Sequence, residues 1–106
     1  MTAYRTVLRT AELGPGEVRE VKGAEDSVVL TNVGQTYYAL AARCPVDGTN
    51  LAREGRLAGD HLVCPRDGTR FDVATGAAIG ESHRLRSYEI RVRGNEVQLG
   101  EEKSVA

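Results

Sequence analysis

The sequence has few of the residues that mark most cofactor and catalytic sites. Its 106 residues include two cysteines, two histidines, one phenylalanine and no tryptophan. Neither sign of charge is in excess, because 14 basic and 15 acidic residues are mixed along the chain. This balance gives no electrostatic reason to expect nucleic acid or an anionic membrane as a partner. No apolar run is long enough for a signal peptide or a membrane span, so we expect a cytoplasmic protein.

The residues that are present favour one small β domain. A chain of this length, with 41% hydrophobic and 27% charged residues, is typical of a single globular domain. Pairs of a glycine and a polar residue separate apolar runs and predict antiparallel hairpins. These pairs are Gly34-Gln35, Gly59-Asp60 and Gly94-Asn95. The predicted strands are 6–8, 18–21, 27–31, 36–40, 56–58, 61–63, 70–73, 77–79, 88–92 and 96–99. The sequence therefore predicts an all-β antiparallel fold.

The last predicted hairpin has the clearest alternation of apolar and polar residues. Period-two alternation places one set on the core face and the other in water. The core set is Tyr88, Ile90 and Val92, and the solvent set is Glu89, Arg91 and Arg93. Residues 50–54 offer only a short helical turn, and residues 101–106 are expected to form a frayed tail.

A hexapeptide occurs almost unchanged twice, 20 residues apart. It reads Cys44-Pro-Val-Asp-Gly-Thr and then Cys64-Pro-Arg-Asp-Gly-Thr. Proline restricts the backbone after the cysteine, aspartate caps the turn, and glycine supplies a positive φ. Such a turn directs backbone amides at the sulfur, which suits either a metal ligand or a redox-active thiol. The two loops predict a site that contains Cys44 and Cys64.

Nearly the whole chain resembles the Rieske-type [2Fe-2S] proteins, whose ligand pattern is Cys-x-His followed by Cys-x-x-His. The segments GQTYYALAARCP, NLAREGRLAGDHLVCP, GTRFDVATGAAIG and LRSYEIRVRGNEVQL are similar to the strands and loops around their cluster. The chain is also similar in size to the ferredoxin components of ring-hydroxylating oxygenases and to nitrite reductase small subunits. The resemblance implies a β-sandwich with base sheets at about 1–40 and 73–100 and a two-loop subdomain at about 41–72.

The sequence departs from that family at the ligands. In the family register the first histidine falls on Val46 and the second on Asp67. Because the two histidines hold one of the two irons, no protein ligand is left for that iron. We therefore expect no standard Rieske cluster in this protein.

Without the family register, Cys44, Asp47, Cys64 and Asp67 form a repeated Cys-x-x-Asp pattern. Two sulfurs and two carboxylates are a chemically sensible ligand set for zinc, and a [2Fe-2S] cluster on the same residues is an alternative. Of the two aspartates, Asp67 is favoured as a ligand, since it occupies the position of the family's second histidine. Since Asp-Gly is among the commonest turn pairs, the simpler interpretation of both aspartates is that they form the turns. The cysteines alone could form a disulfide or remain buried thiols.

The two histidines are interpreted as polar surface residues. His61 lies beside a predicted hairpin turn, and His83 lies in the segment that resembles the loop covering the family's cluster. No nucleophile with an adjacent base, phosphate loop or catalytic carboxylate pair is present, so we expect a non-catalytic component.

Three functions are left open by the sequence. The first is a cluster-free accessory or docking component of a redox system, with an oxygenase or reductase component as its partner. The second is an electron-transfer ferredoxin with a non-standard [2Fe-2S] site on Cys44 and Cys64 plus Asp67 and Asp47. The third is a zinc-stabilised binding module on the same four residues.

Overall fold

The computed structural model describes residues 3–23 and 26–103, and these residues form an almost entirely β structure. All strand pairings are antiparallel, so the predicted fold class is confirmed. The strands are β1 (Arg5–Arg9), β2 (Val18–Lys22), β3 (Ser27–Val33), β4 (Thr36–Ala41), β5 (Arg56–Ala58), β6 (His61–Val63), β7 (Arg70–Asp72), β8 (Ser87–Arg93) and β9 (Glu96–Glu102). Within the described ranges, no helix has the length and apolar character needed to cross a membrane.

Six strands form the base of the molecule in the order β1-β9-β8-β4-β3-β2. The β3–β4 hairpin turns at Gly34 and Gln35, whose φ angles are 56° and 76°. Two consecutive positive φ angles suit the right-handed twist of a tight hairpin. The β8–β9 hairpin turns at Gly94, which also has a positive φ of 61°. The three predicted hairpins are therefore confirmed, with the third joining β5 and β6.

The six-stranded sheet folds over so that its two edges meet. Arg5 lies on the edge strand β1, and its guanidinium donates to the Lys22 carbonyl on β2, the other edge strand. Inside the fold, the Asn32 side-chain amide donates to the Leu13 carbonyl at 2.9 Å. The enclosed core contains Leu8, Leu13, Val28, Leu30, Ala39, Val97 and Leu99. This closure gives the base its sandwich-like form.

A second layer packs on the other face of β3 and β4. It consists of a three-stranded sheet, in the order β5-β6-β7, together with the two cysteine loops. Because side chains alternate along a strand, Val28 and Leu30 enter the first core whereas Val29 enters the second. The second core contains Val29, Leu40, Ala42, Cys44, Leu51, Leu62, Cys64, Phe71, Val73, Ala78 and Leu85. Both sulfurs are thus part of a packed core.

Two local features differ from what the sequence predicts. Residues 77–79 do not form a strand and make only isolated bridges, Phe71 with Ala78 and Ala77 with Arg84. Gly76, which directly precedes this segment, has a positive φ of 80°, so the chain turns there before a strand ladder can form. The region 50–54 forms the short turn that was expected, in which the Glu54 amide donates to the Asn50 carbonyl at 2.9 Å. The short 3-10 helix at Thr10–Glu12 was not expected.

The last hairpin differs from expectation at its far end. Tyr88 and Ile90 pack on the first core as predicted, but Val92 is 45% exposed. The reason is that β8 pairs with β4 only at its first residues, so no strand covers Val92 on that side. At the C-terminus β9 continues to Glu102, where we expected a frayed tail from residue 101. Residues 104–106 of that tail lie outside the described residues.

Candidate metal centre

The first cysteine loop follows the end of β4 and closes on its own backbone. The Cys44 amide donates to the Thr49 carbonyl at 2.9 Å, and the Gly48 amide donates to the Cys44 carbonyl at 2.9 Å. Gly48 has a φ of 78°, the left-handed conformation that the repeated sequence predicts for glycine. The Asp47 carboxylate accepts the Thr49 amide at 2.9 Å. The cysteine, aspartate, glycine and threonine of the motif therefore each have a part in shaping the turn.

The second loop joins β6 to β7 and repeats the same bonds. The Cys64 amide donates to the Thr69 carbonyl at 2.9 Å, and the Gly68 amide donates to the Cys64 carbonyl at 2.9 Å. Gly68 has a φ of 75°, and the Asp67 carboxylate accepts the Thr69 amide at 3.0 Å. Both aspartates are thus turn formers, which is the simpler of the two interpretations drawn from the sequence.

Each loop is anchored by a large apolar residue two positions after its threonine. Leu51 follows the first loop and Phe71 follows the second, and both are fully buried in the second core. The exit of the first loop has an additional anchor on the base. Glu20 on β2 accepts hydrogen bonds from Asn50 and from Arg53, each at 2.9 Å. No sequence pattern pointed to Glu20, because these partners are 30 and 33 residues away.

The two loops bring three potential ligand atoms together. The sulfurs of Cys44 and Cys64 and a carboxylate oxygen of Asp47 all lie within 4.8 Å of one another. The Cys64 thiol points at Oδ2 of Asp47 across the gap between the loops, at 4.0 Å. Asp67 is not part of this group, although the sequence favoured it over Asp47. Asp47 takes the place expected for Asp67 because its carboxylate faces the opposite loop. Alignment with the family's ligand pattern cannot reveal this contact between loops.

Both cysteines are buried free thiols in the structure. Burial raises the pKa of the Cys44 thiol, and the amides of Val46 and Asp47 oppose this rise by hydrogen bonding to the sulfur. The neighbouring Cys64 and Asp47 raise that pKa further, since they add negative charge close to the sulfur. The site therefore places two thiols and a carboxylate close together, with both sulfurs shielded from solvent.

The two carboxylates beside the thiols ionise readily. The Thr49 hydroxyl and amide lower the pKa of Asp47, and the charge of Arg66 on the other loop lowers it further. The Thr69 amide and hydroxyl lower the pKa of Asp67. At neutral pH both groups are anionic, and Asp47 can offer its second oxygen to a cation.

The histidines lie apart from the converging ligand atoms. His61 faces Asp60, with 3.5 Å between the ring Nε2 and the carboxylate, and the side chain is partly exposed as expected. His83 faces Glu81, with 3.6 Å between the corresponding atoms. In residues 3–23 and 26–103 the only group of three or more metal-ligating side chains is Cys44, Asp47 and Cys64.

A model of the Rieske [2Fe-2S] domain family matches residues 3–89. The chain belongs to this family. The ferredoxin CarAc of Metapseudomonas resinovorans is 33% identical to this Rieske domain over 101 residues, which cover 92% of each chain. The ferredoxin component of biphenyl 2,3-dioxygenase from Rhodococcus jostii RHA1 is 26% identical over 97% of each chain. These relatives are ferredoxin components, which confirms the prediction of a non-catalytic component.

Solved structures agree with the fold. A chain in a complex of reduced oxygenase and oxidised ferredoxin of carbazole 1,9a-dioxygenase matches with a TM-score of 0.87 and 28% identity, covering 97% of both chains. A nitrite reductase small subunit from Mycobacterium tuberculosis has a TM-score of 0.85 at 19% identity, covering 100% of this Rieske domain and 98% of that chain. At that identity the second match supports the fold alone.

The donor set fits only half of a Rieske cluster. Such a cluster takes two cysteines on one iron and two histidines on the other. Cys44 and Cys64 could serve the first iron, but neither His61 nor His83 belongs to the convergent group. The residues that meet at the loops therefore do not supply the imidazole pair of a standard Rieske cluster.

Proposed function

We propose that this Rieske domain is a non-catalytic component of a redox system that docks to a partner protein without carrying a standard Rieske cluster. The observation that carries the proposal is the donor set at the two loops. It consists of two sulfurs and one carboxylate, and neither histidine joins it. Because imidazole ligands give the Rieske centre its raised potential, their absence argues against the usual electron-transfer role.

Exposed apolar side chains near the loops support docking. Val46 in the first loop is 49% exposed, and Ile79, beyond the second loop, is 50% exposed. Ile79 is held beside that loop because its amide donates to the Arg70 carbonyl at 2.8 Å. Exposed apolar residues next to charged groups are typical of sites where another protein binds. A structural neighbour was solved together with an oxygenase, so an oxygenase or reductase component is the proposed partner.

A second candidate function is electron transfer through a [2Fe-2S] cluster with non-standard ligands. Two cysteines in ferredoxin-type loops, with a carboxylate beside them, favour it. Replacing neutral imidazoles by carboxylates would make the cluster more negative. Its potential should then lie nearer the roughly -400 mV of plant-type ferredoxins than the Rieske range.

Metal and sulfide analysis of protein purified without oxygen separates the two candidates. The docking proposal expects neither inorganic sulfide nor the visible absorption of an iron-sulfur cluster. About two irons and two sulfides per chain, absent from a Cys44→Ser, Cys64→Ser double variant, would instead establish the electron carrier.

Docking is tested with a pair of valine variants. We expect Val46→Asp to weaken binding to the oxygenase or reductase component of a dioxygenase system by roughly tenfold, because it places a charge in the apolar contact. Val92→Asp is the matched control, since Val92 is similarly exposed but lies on the base. Calorimetric titration of each variant with the partner gives the affinities. Equal losses for the two variants, or no binding by the unaltered protein, would contradict docking at the loops.

A further inference from the structure

We propose that Cys44, Cys64 and Asp47 bind a single divalent metal ion of the zinc class, with Asp67 left out of the coordination. The site would pin the two loops to each other. It does not depend on the docking role, because an ion held between the loops is compatible with any partner or with none.

The distances between the ligand atoms suit one tetrahedral ion. Zinc bonds of about 2.3 Å to sulfur and about 2.0–2.2 Å to carboxylate oxygen separate adjacent ligand atoms by roughly 3.5–3.8 Å. The three ligand atoms already lie within 4.8 Å of one another, and the Cys64 sulfur is 4.0 Å from Oδ2 of Asp47. Only a small inward movement of side chains is needed to close the site around an ion.

The site is built before any ion arrives. One oxygen of Asp47 is held by the Thr49 amide, and the other faces the Cys64 sulfur. Both loops are closed by their own backbone hydrogen bonds, and both cysteine side chains are buried in the second core. Ligands held in this way lose little conformational freedom on binding, which favours affinity.

Charge also favours a divalent cation. Two thiolates and one carboxylate carry three negative charges, and a divalent ion reduces the total to one. Binding would therefore release the two thiol protons, and the amides of Val46 and Asp47 would remain as donors to the Cys44 thiolate.

The donor types select a zinc-class ion over harder cations. Thiolate sulfur prefers zinc and similar metals, whereas magnesium and calcium require oxygen ligands. Three protein ligands leave a fourth tetrahedral position. That position is open to a water molecule, because Asp47 and its neighbour Val46 are exposed to solvent.

The experiment uses the full chain, stripped of metal by a chelator and kept reduced. Zinc is added with a competing chromophoric chelator to obtain the stoichiometry and affinity, and cobalt(II) is added separately as a spectroscopic probe. We expect one ion per chain, the release of protons, and cobalt bands typical of tetrahedral thiolate coordination. The unfolding temperature should rise with zinc concentration in the unaltered protein but not in the Cys44→Ser, Cys64→Ser double variant.

The repeated loops provide a matched pair of variants. Asp47→Asn and Asp67→Asn each keep a side-chain oxygen for the turn, so both should fold, as circular dichroism can verify. Asp47→Asn should weaken zinc binding by at least about tenfold, whereas Asp67→Asn should leave it as in the unaltered protein. The proposal is wrong if both variants lose affinity equally, if the double cysteine variant binds zinc as well as the unaltered protein, or if the native metal is a two-iron, two-sulfide cluster.

Discussion

The two cysteine loops have the same backbone and yet contribute differently to the site. Each closes with the same amide-to-carbonyl bonds and the same aspartate-to-threonine bond. Only the first loop adds a carboxylate to the sulfurs, because Asp47 faces Cys64 while Asp67 stays outside the group. Nearly identical local sequence thus produces the same turn twice, whereas the roles of the side chains depend on how the turns face each other.

The loops also differ in how they are attached. The second loop continues the β6–β7 hairpin, in which Val63 pairs with Arg70. The first loop is followed by an irregular turn that is tied to β2 through Glu20. Both loops are closed by a pairing of their flanking residues, Val63 with Arg70 and Arg43 with Asn50, and the first loop has the polar contact to β2 in addition.

The largest expected effect comes from the apolar anchors of the two loops. Leu51→Ala should reduce the free energy of unfolding by about 2–5 kcal/mol and Phe71→Ala by about 3–5 kcal/mol, because each leaves a cavity in the second core. Urea denaturation followed by circular dichroism measures both. Val92→Ala is the control, with a change within about 0.5 kcal/mol. A loss below 1 kcal/mol for Leu51→Ala alone would mean that the first loop is anchored mainly by Glu20.

A smaller effect is expected at the two loop glycines. Gly48→Ala and Gly68→Ala should each cost about 1–2 kcal/mol, because alanine is strained at φ angles of 78° and 75°. No atom lies within 4 Å of the added methyl group at either position, so backbone strain is the whole cost. The two losses, measured by thermal and urea unfolding, should be equal. Asparagine at either position should cost less, and unequal losses would show that the loops are less alike in solution.

The smallest effect concerns the charge that ties the first loop to the base. Hydrogen bonds from Asn50 and Arg53 lower the pKa of Glu20 from 4.5 to about 2. Since the folded protein favours the ionised form, this stabilisation is complete above pH 4.5 and disappears as the pH falls towards 2. The unaltered protein should therefore exceed Glu20→Gln in unfolding temperature at pH 7 but approach it near pH 2.

Salt provides the control for this contact. Because Glu20 and Arg53 meet near the surface, added sodium chloride should shrink the difference between the two proteins at pH 7. A difference that persists at low pH and in high salt would assign the effect to side-chain shape instead of charge.

Local features of this molecule could be predicted from the sequence. The hairpin glycines, the strand runs and the aspartate turns each depend on residues that are neighbours in the chain. The contacts that were missed join distant residues, such as Glu20 with Asn50 and Asp47 with Cys64. The failed strand at 77–79 illustrates the same limit, since Ala78 is buried and Ile79 is exposed without either forming part of a ladder. Sequence patterns pointed to the candidate residues, whereas packing determined which of them meet.

The closure of the base sheet has a consequence for behaviour at high concentration. An exposed edge strand is a template on which another chain can add a strand and begin to aggregate. Here the two edge strands are β1 and β2, and the Arg5 guanidinium spans them to reach the Lys22 carbonyl. Arg9 and Arg19 add further charge to the same edges. The base thus discourages strand-to-strand association between molecules.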